Sequence, residues 1–141
     1  MRSRHIRRIT LGLALVAAAG GAAVAVAQQA ALPGGEYKKV STLVSLPDFI
    51  PGLGTLYVDP KTLPAGPFLA YDKQGQLVSS VYMIPLKDIT AHKAFNDLAV
   101  AREKVDHVDM YYNAGHPGVA EPHYHVVVWY VSPQKAAALK Q

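Results

Sequence analysis

The chain has 141 residues, no cysteine and a formal net charge of +4 at pH 7. Without cysteine it can form no disulfide, thiolate nucleophile, zinc finger, iron–sulfur cluster or blue-copper site, so histidine, carboxylate or backbone oxygen must hold any metal. The arginines of residues 1–27 account for the whole charge excess, so residues 28–141 keep no basic surplus and we expect no nucleic-acid partner.

Residues 1–27 have the layout of a secretory signal peptide. Several arginines precede a long uncharged stretch that ends in Ala25-Val26-Ala27. A basic start, an apolar run and small residues before the cleavage point are typical of exported precursors. We therefore expect cleavage after Ala27 and a periplasmic or secreted protein, with the general and twin-arginine routes both open. The alternative is an uncleaved N-terminal anchor, because the apolar run is nearly long enough to span a bilayer, and a membrane contact is expected only in that case.

After the signal peptide, residues 28–36 are small and rich in glycine, which predicts a flexible linker. Residues 37–141 have a length that suits a single domain with one core. The first clear strand is predicted at 55–58, between a glycine-rich turn and Asp59-Pro60.

The next segment, "GPFLAYDKQGQLVSSVYMIPL", predicts two strands joined at Asp72-Lys73-Gln74-Gly75. Glycine at the end of this turn predicts a positive φ at Gly75. In the second strand, residues 77–84 are apolar on both alternating faces. That pattern indicates a central strand rather than an exposed edge.

Two helices are predicted in the rest of the chain. In "DITAHKAFNDLAVA", residues 88–101, apolar side chains recur near helical spacing, with Asp88 or Thr90 as the N-cap. In "SPQKAAALK", Ser132 can cap a short C-terminal helix that has Pro133 in its first turn. The fold class expected is therefore α+β, mainly antiparallel β-sheet with one mid-chain helix and a short C-terminal helix.

The segments "VDHVDMYY" and "HYHVVVWYV" alternate as strands and flank the loop "NAGHPGVAEP". We predict an antiparallel hairpin. If the numbers of opposed residues add up to an even sum, four polar side chains share one face: His107, Asp109, His123 and His125. A shift of the strand pairing by one residue would place His107 and Asp109 on the face opposite His123 and His125. The loop contributes two further candidates, His116 and Glu121.

These six residues predict a divalent metal site. The His-x-His pair supplies two imidazole nitrogens on one side of a strand, and the other histidines and carboxylates can complete a nitrogen and oxygen set. Such a set suits zinc, copper, nickel, manganese or iron, and the sequence does not choose among them. The alternative is that the histidines are structural and bond to carboxylates such as Asp109.

The same two segments carry a family resemblance. "GHPGVAEPHYHVVVWYV" and "LGTLYVDPKTLPAGPFLAYD" resemble a family of small exported bacterial proteins of unknown activity, typified by a Thermus hypothetical protein under extracytoplasmic sigma-factor control. Six residues match the family pattern: Gly115, His116, Pro117, Pro122, His123 and Tyr124. The chain departs from it at His125, where the family has aspartate, and at Val127, where it has a second histidine. The resemblance implies a β-rich domain and carries over His116 and His123 as site residues.

Together these features predict an exported envelope protein that binds a divalent metal through a histidine-rich hairpin. One alternative is a non-catalytic envelope protein that self-associates as a homo-oligomer through apolar sheet surface. Another is a metal-dependent enzyme that uses His-x-His as cupins do, although "VVVWYVSP" lacks the glutamate that follows the pair in cupins. No catalytic residue and no motif for an organic cofactor can be identified.

Overall fold

The computed structural model describes residues 34–141. The predicted signal peptide, residues 1–27, and most of the predicted linker, residues 28–36, lie outside the described residues. The described part forms an antiparallel six-stranded sheet with strand order β1-β2-β3-β4-β6-β5. The strands are β1 (Lys38–Lys39), β2 (Thr55–Val58), β3 (Phe68–Tyr71), β4 (Leu77–Pro85), β5 (His107–Asn113) and β6 (His123–Trp129). The helices are α1 (Leu86–Thr90) and α2 (Pro133–Ala138), with single 3-10 turns at Val40–Thr42 and Pro60–Thr62.

Strand β4 lies in the middle of the sheet, between β3 and β6, and all 9 of its residues are buried. Apolar residues on both of its faces explain this position, because a central strand covered on both sides has no solvent-exposed face. The predicted strand at 55–58 and the predicted central strand are both confirmed, and the fold is α+β as the sequence indicates.

The main core lies on one face of the sheet. One row of this face runs across neighbouring strands from Val58 through Phe68 and Val81 to Val127. Residues of the segment 40–53 and Leu139, just after α2, pack over these strands. Burial of this apolar face is the principal stabilising contribution available to a domain without disulfides.

The turn between β3 and β4 has the predicted geometry. Gly75 has a φ of 76°, and the Asp72 carboxylate accepts hydrogen bonds from the backbone N–H groups of Gln74 and Gln76. Aspartate commonly stabilises a turn in this way, by bonding to backbone donors that follow it.

The mid-chain helix is present, but its extent differs from the prediction. Helix α1 begins directly after Pro85 and ends at Thr90, so neither Asp88 nor Thr90 is its N-cap. His92 has a positive φ of 56°, which is incompatible with a continuing right-handed helix. Residues 91–106 contain no further helix or strand, and the Tyr82 hydroxyl anchors them by donating to the Ala99 carbonyl at 2.5 Å. The C-terminal helix is confirmed, with the Ser132 hydroxyl accepting from a first-turn N–H.

Strand β5 forms one edge of the sheet, paired with β6 alone among the described strands. On the face opposite the main core, Val108, Met110 and Tyr112 are 55%, 61% and 52% exposed. Within residues 34–141, no helix has the length and apolar character needed to cross a membrane.

Candidate metal site beside the β5–β6 loop

Strand β6 begins with His123, and its alternation directs His123 and His125 to the core face. His123 is fully buried and His125 is 4% exposed. In the sheet, His125 lies between Met83 of β4 and Tyr111 of β5. Pairing on both sides fixes the backbone of these two histidines, which is the rigid placement that a preorganised site needs.

A tight turn in the β5–β6 loop brings His116 to the same place. The backbones of His116 and Val119 exchange two hydrogen bonds of 2.9 Å, and Gly118 between them has a φ of 87°. Proline followed by glycine with positive φ is the arrangement of a type II turn. Val119 packs against the core, so the turn is held on the sheet.

His116, His123 and His125 form what we call the His cluster. One ring nitrogen from each histidine lies within 4.8 Å of the other two, and the Nε2 atoms of His123 and His125 are 3.0 Å apart. A tetrahedral zinc ion with bonds of about 2.0–2.1 Å separates its nitrogen ligands by roughly 3.3 Å. The Nε2 atoms of His123 and His125 already lie near this spacing, and ring movement would have to bring the His116 nitrogen to it.

Backbone carbonyls set the orientation of two of these rings. Nδ1 of His123 donates to the Glu121 carbonyl at 2.6 Å, and Nδ1 of His116 donates to the Pro117 carbonyl at 3.0 Å. A carbonyl only accepts, so in the neutral ring the hydrogen is on Nδ1 and the lone pair is on Nε2. Metal-binding histidines are usually oriented by such a hydrogen bond from the other ring nitrogen.

His125 has a different partner, the Tyr111 hydroxyl, 3.1 Å from its Nδ1. Because Nε2 of His123 accepts, the metal-free arrangement has Nε2–H of His125 donating to it and the tyrosine donating to Nδ1. The hydroxyl can also accept, so His125 can move its hydrogen to Nδ1 and free Nε2 for a metal. Burial, and to a smaller extent the negative charge of Asp109, raises the pKa of Tyr111. The hydroxyl therefore stays protonated.

The electrostatic surroundings keep His125 neutral. Burial, and then the neighbouring His123 and His116, lower its pKa from 6.5 to about 4. Desolvation disfavours the imidazolium form, and nearby imidazoles add to the effect when they are protonated. At neutral pH His125 is therefore a free base, which is the form that binds metal.

The other predicted site residues lie outside the His cluster. The hairpin register is even, which meets the condition set from the sequence, so His107 and Asp109 share the core face. They oppose Trp129 and Val127 at the far end of the hairpin. His107 stacks on the Trp129 ring, and the Asp109 carboxylate accepts from Trp129 Nε1–H at 2.8 Å.

Glu121 contributes its backbone and not its side chain. Its carboxylate pairs with the Lys87 ammonium at 2.7 Å, while its carbonyl orients His123. Tyr111 is not among the site residues predicted from the sequence. Its place two residues after Asp109 on the same alternating face was the available signal, since it puts the hydroxyl in the face that carries the histidines.

A cavity of about 640 Å³ adjoins the cluster. Its apolar wall is formed largely by β2, β3, β4 and the segment 40–53. Apart from Lys140, the polar side chains in its wall come from β5, β6 and the loop between them, and include His116, His125 and Tyr111. His123 is not part of the wall. The cluster thus has a closed side at His123 and an open side at the cavity.

The chain is similar to a protein of known structure. The TTHB210-like family model, described as hypothetical protein TTHB210, matches residues 72–112, which include β4 and all of β5 except Asn113 but none of the His cluster. The crystal structure of hypothetical protein TTHB210 from Thermus thermophilus is 48% identical, with a TM-score of 0.61, over 68% of this chain and 89% of that chain. No curated protein matches the chain.

Proposed function

The chain belongs to the TTHB210-like family, and we propose that it is an exported envelope protein that binds one divalent metal ion through His116, His123 and His125. The observation that carries the proposal is the convergence of three imidazoles, two of them with Nδ1 bonded to a backbone carbonyl. In a neutral ring whose Nδ1 donates to a carbonyl, Nε2 is the nitrogen that remains to bind a metal. Three histidines that leave a coordination position open are a common protein ligand set for zinc.

The donor set narrows the choice of metal. All three side chains offer imidazole nitrogen, and the two carboxylates predicted from the sequence, Asp109 and Glu121, already have partners in Trp129 and Lys87. Imidazole ligands suit zinc, copper, nickel and iron, whereas manganese favours carboxylate and water oxygen. We therefore propose zinc, copper, nickel or iron rather than manganese.

The test is metal analysis and zinc titration of chelator-treated protein without a histidine tag. We expect one equivalent of zinc in the wild type and none at comparable affinity in His116→Ala. His107→Ala is the matched control, since His107 is also a half-buried histidine on this hairpin but stacks on Trp129. Equal zinc binding by both variants and the wild type, or no binding at all, would overturn the proposal.

Export is supported by the sequence of residues 1–27 and has its own test. Intact-mass measurement of natively exported protein should give a chain that starts at Gln28, because the small residues Ala25-Val26-Ala27 precede the cleavage point. A mass that retains Met1 would support the uncleaved anchor instead.

A further inference from the structure

The geometry points to a ligand for the cavity: an aliphatic carboxylate whose head group coordinates the metal and whose chain lies along the apolar wall. This inference rests on the proposed metal site, which it deepens by naming the class of molecule that the site would take.

The position of the His cluster supports coordination from the cavity side. His123 is fully buried and closes the site from behind, while His116 and His125 are part of the cavity wall. An ion held by all three nitrogens has its remaining coordination position toward the cavity. Tetrahedral sites with three protein ligands characteristically leave that position to water or to a bound molecule.

The charge of the site favours an anionic head group. Three neutral imidazoles would leave the two positive charges of the ion uncompensated. The Asp109 carboxylate, also in the cavity wall, accepts a hydrogen bond from Trp129 Nε1–H. Asp109 lies two residues along β5 from Tyr111, which separates the two residues by roughly 7 Å at strand spacing. A carboxylate head group would supply the missing charge, and the Tyr111 hydroxyl, which contacts His125, is a neutral polar group in the same wall.

The shape and lining of the cavity favour an aliphatic chain. The volume of about 640 Å³ falls within the range of about 300–1,000 Å³ that is usual for sites enclosing small molecules. From the His cluster on β6, the wall continues across β4 and β3 to Leu56 and Val58 of β2. Three strand spacings of about 4.8 Å give a span of roughly 14 Å, which suits an extended chain such as that of decanoate.

The experiment uses the mature full-length protein in two forms, zinc-loaded and chelator-treated. Calorimetric titration first measures zinc binding and then decanoate binding to each form. Acetate, which keeps only the carboxylate head group, and decanol, which keeps only the aliphatic chain, are the comparison ligands. We expect zinc to tighten decanoate binding by about tenfold or more, as one contact with a charged group can do. Acetate should bind far more weakly, and decanol should bind both forms equally.

Trp129 provides a second readout, because it is the only tryptophan in the chain and lies in the cavity wall. Its emission should change when decanoate binds the wild type. Leu53→Trp narrows the cavity and should weaken decanoate but not zinc. Leu86→Trp, at a leucine outside this cavity, is the matched control and should leave both affinities unchanged.

The possible results separate the two proposals. Zinc binding with no decanoate binding, or with the same decanoate affinity in both forms, would overturn the carboxylate inference and leave the metal site intact. Failure of zinc to bind in the first titration would overturn the metal site and the inference together.

Discussion

At the level of single residues, the three rings of the His cluster differ in what their Nδ1 atoms contact. Carbonyls hold two rings in one tautomer, whereas the Tyr111 hydroxyl lets His125 adopt either. His125 is thus the member whose hydrogen must move when a metal arrives. Burial also lowers the pKa of His125 and keeps it neutral. In the absence of metal, His125 should therefore make the stability of the protein depend on pH.

The first prediction concerns the pH dependence of the metal-free protein. Burial, with smaller effects of His123 and His116, lowers the pKa of His125 to about 4, against about 6.5 in an unfolded chain. Between these values the unfolded chain binds a proton that the folded chain does not. The free energy of unfolding should therefore fall as pH is lowered from about 6.5 to about 4, by up to about 3 kcal/mol.

Urea unfolding of chelator-treated protein at a series of pH values measures this change. The variant His125→Gln cannot titrate in this range and should lose that part of the pH dependence. An equal fall in stability in the variant and the wild type would show that other groups are responsible.

The second prediction separates a structural polar residue from a metal ligand. Asp109→Ala removes the acceptor of Trp129 Nε1–H, and Trp129 is only 5% exposed. A donor left without its partner should cost about 1 kcal/mol or more of stability, while zinc affinity should not change. Trp129→Phe has no indole donor, so Asp109→Ala should lower the free energy of unfolding by less in that variant than in the wild type. A large loss of zinc affinity in Asp109→Ala would place this carboxylate among the ligands.

At the level of elements, the turn that carries His116 depends on Gly118. Its φ of 87° disfavours any side chain, and a Cβ there would stand 2.9 Å from Cγ1 of Val44. Gly118→Ala should therefore destabilise the protein by about 1 kcal/mol or more and displace His116 enough to weaken zinc binding. Thermal melts and zinc titration measure the two effects.

Gly75→Ala is the matched control for this turn. Gly75 has a similar φ of 76°, but a Cβ there would meet nothing within 4 Å, and the turn joins β3 to β4. It should lower stability through backbone strain alone and leave zinc affinity unchanged. Loss of zinc binding in both variants would indicate a global effect and not a displaced His116.

The same elements show what the sequence could and could not predict. Period-two alternation was sufficient to predict strands β5 and β6 and their faces, but the even register was a condition that alternation alone could not decide, because a shift of one residue keeps the same alternation. Local patterning could not predict how the nine residues between β5 and β6, "AGHPGVAEP", fold back on the sheet, since that depends on Val119 packing against a distant core. Helix α1 also ends before the predicted end, and the segment after Thr90 has a partner that local patterning does not encode, the Tyr82 hydroxyl of β4, which donates to the Ala99 carbonyl.

At the level of the whole molecule, a metal in the His cluster would join two parts of the chain. His123 and His125 belong to β6, which pairs with β4 and β5, whereas His116 belongs to a loop. A bound ion would tie that loop to an inner strand of the sheet. Such a contact exists only in the folded state, so it should couple metal binding to global stability.

The last prediction follows from this coupling. Zinc at about a hundred times its Kd should stabilise the wild type by about 2.7 kcal/mol. For a domain of about this size, that corresponds to a rise in Tm of roughly 10 °C. His116→Ala is the preferred variant, because His116 is only partly buried, whereas truncating the fully buried His123 would also leave a hole in the core. His116→Ala should keep a cooperative metal-free transition and lose most of the zinc-dependent rise in Tm. His107→Ala should keep that rise. A wild type that melts at the same temperature with zinc and with chelator would mean that the three histidines serve only the packing of the hairpin.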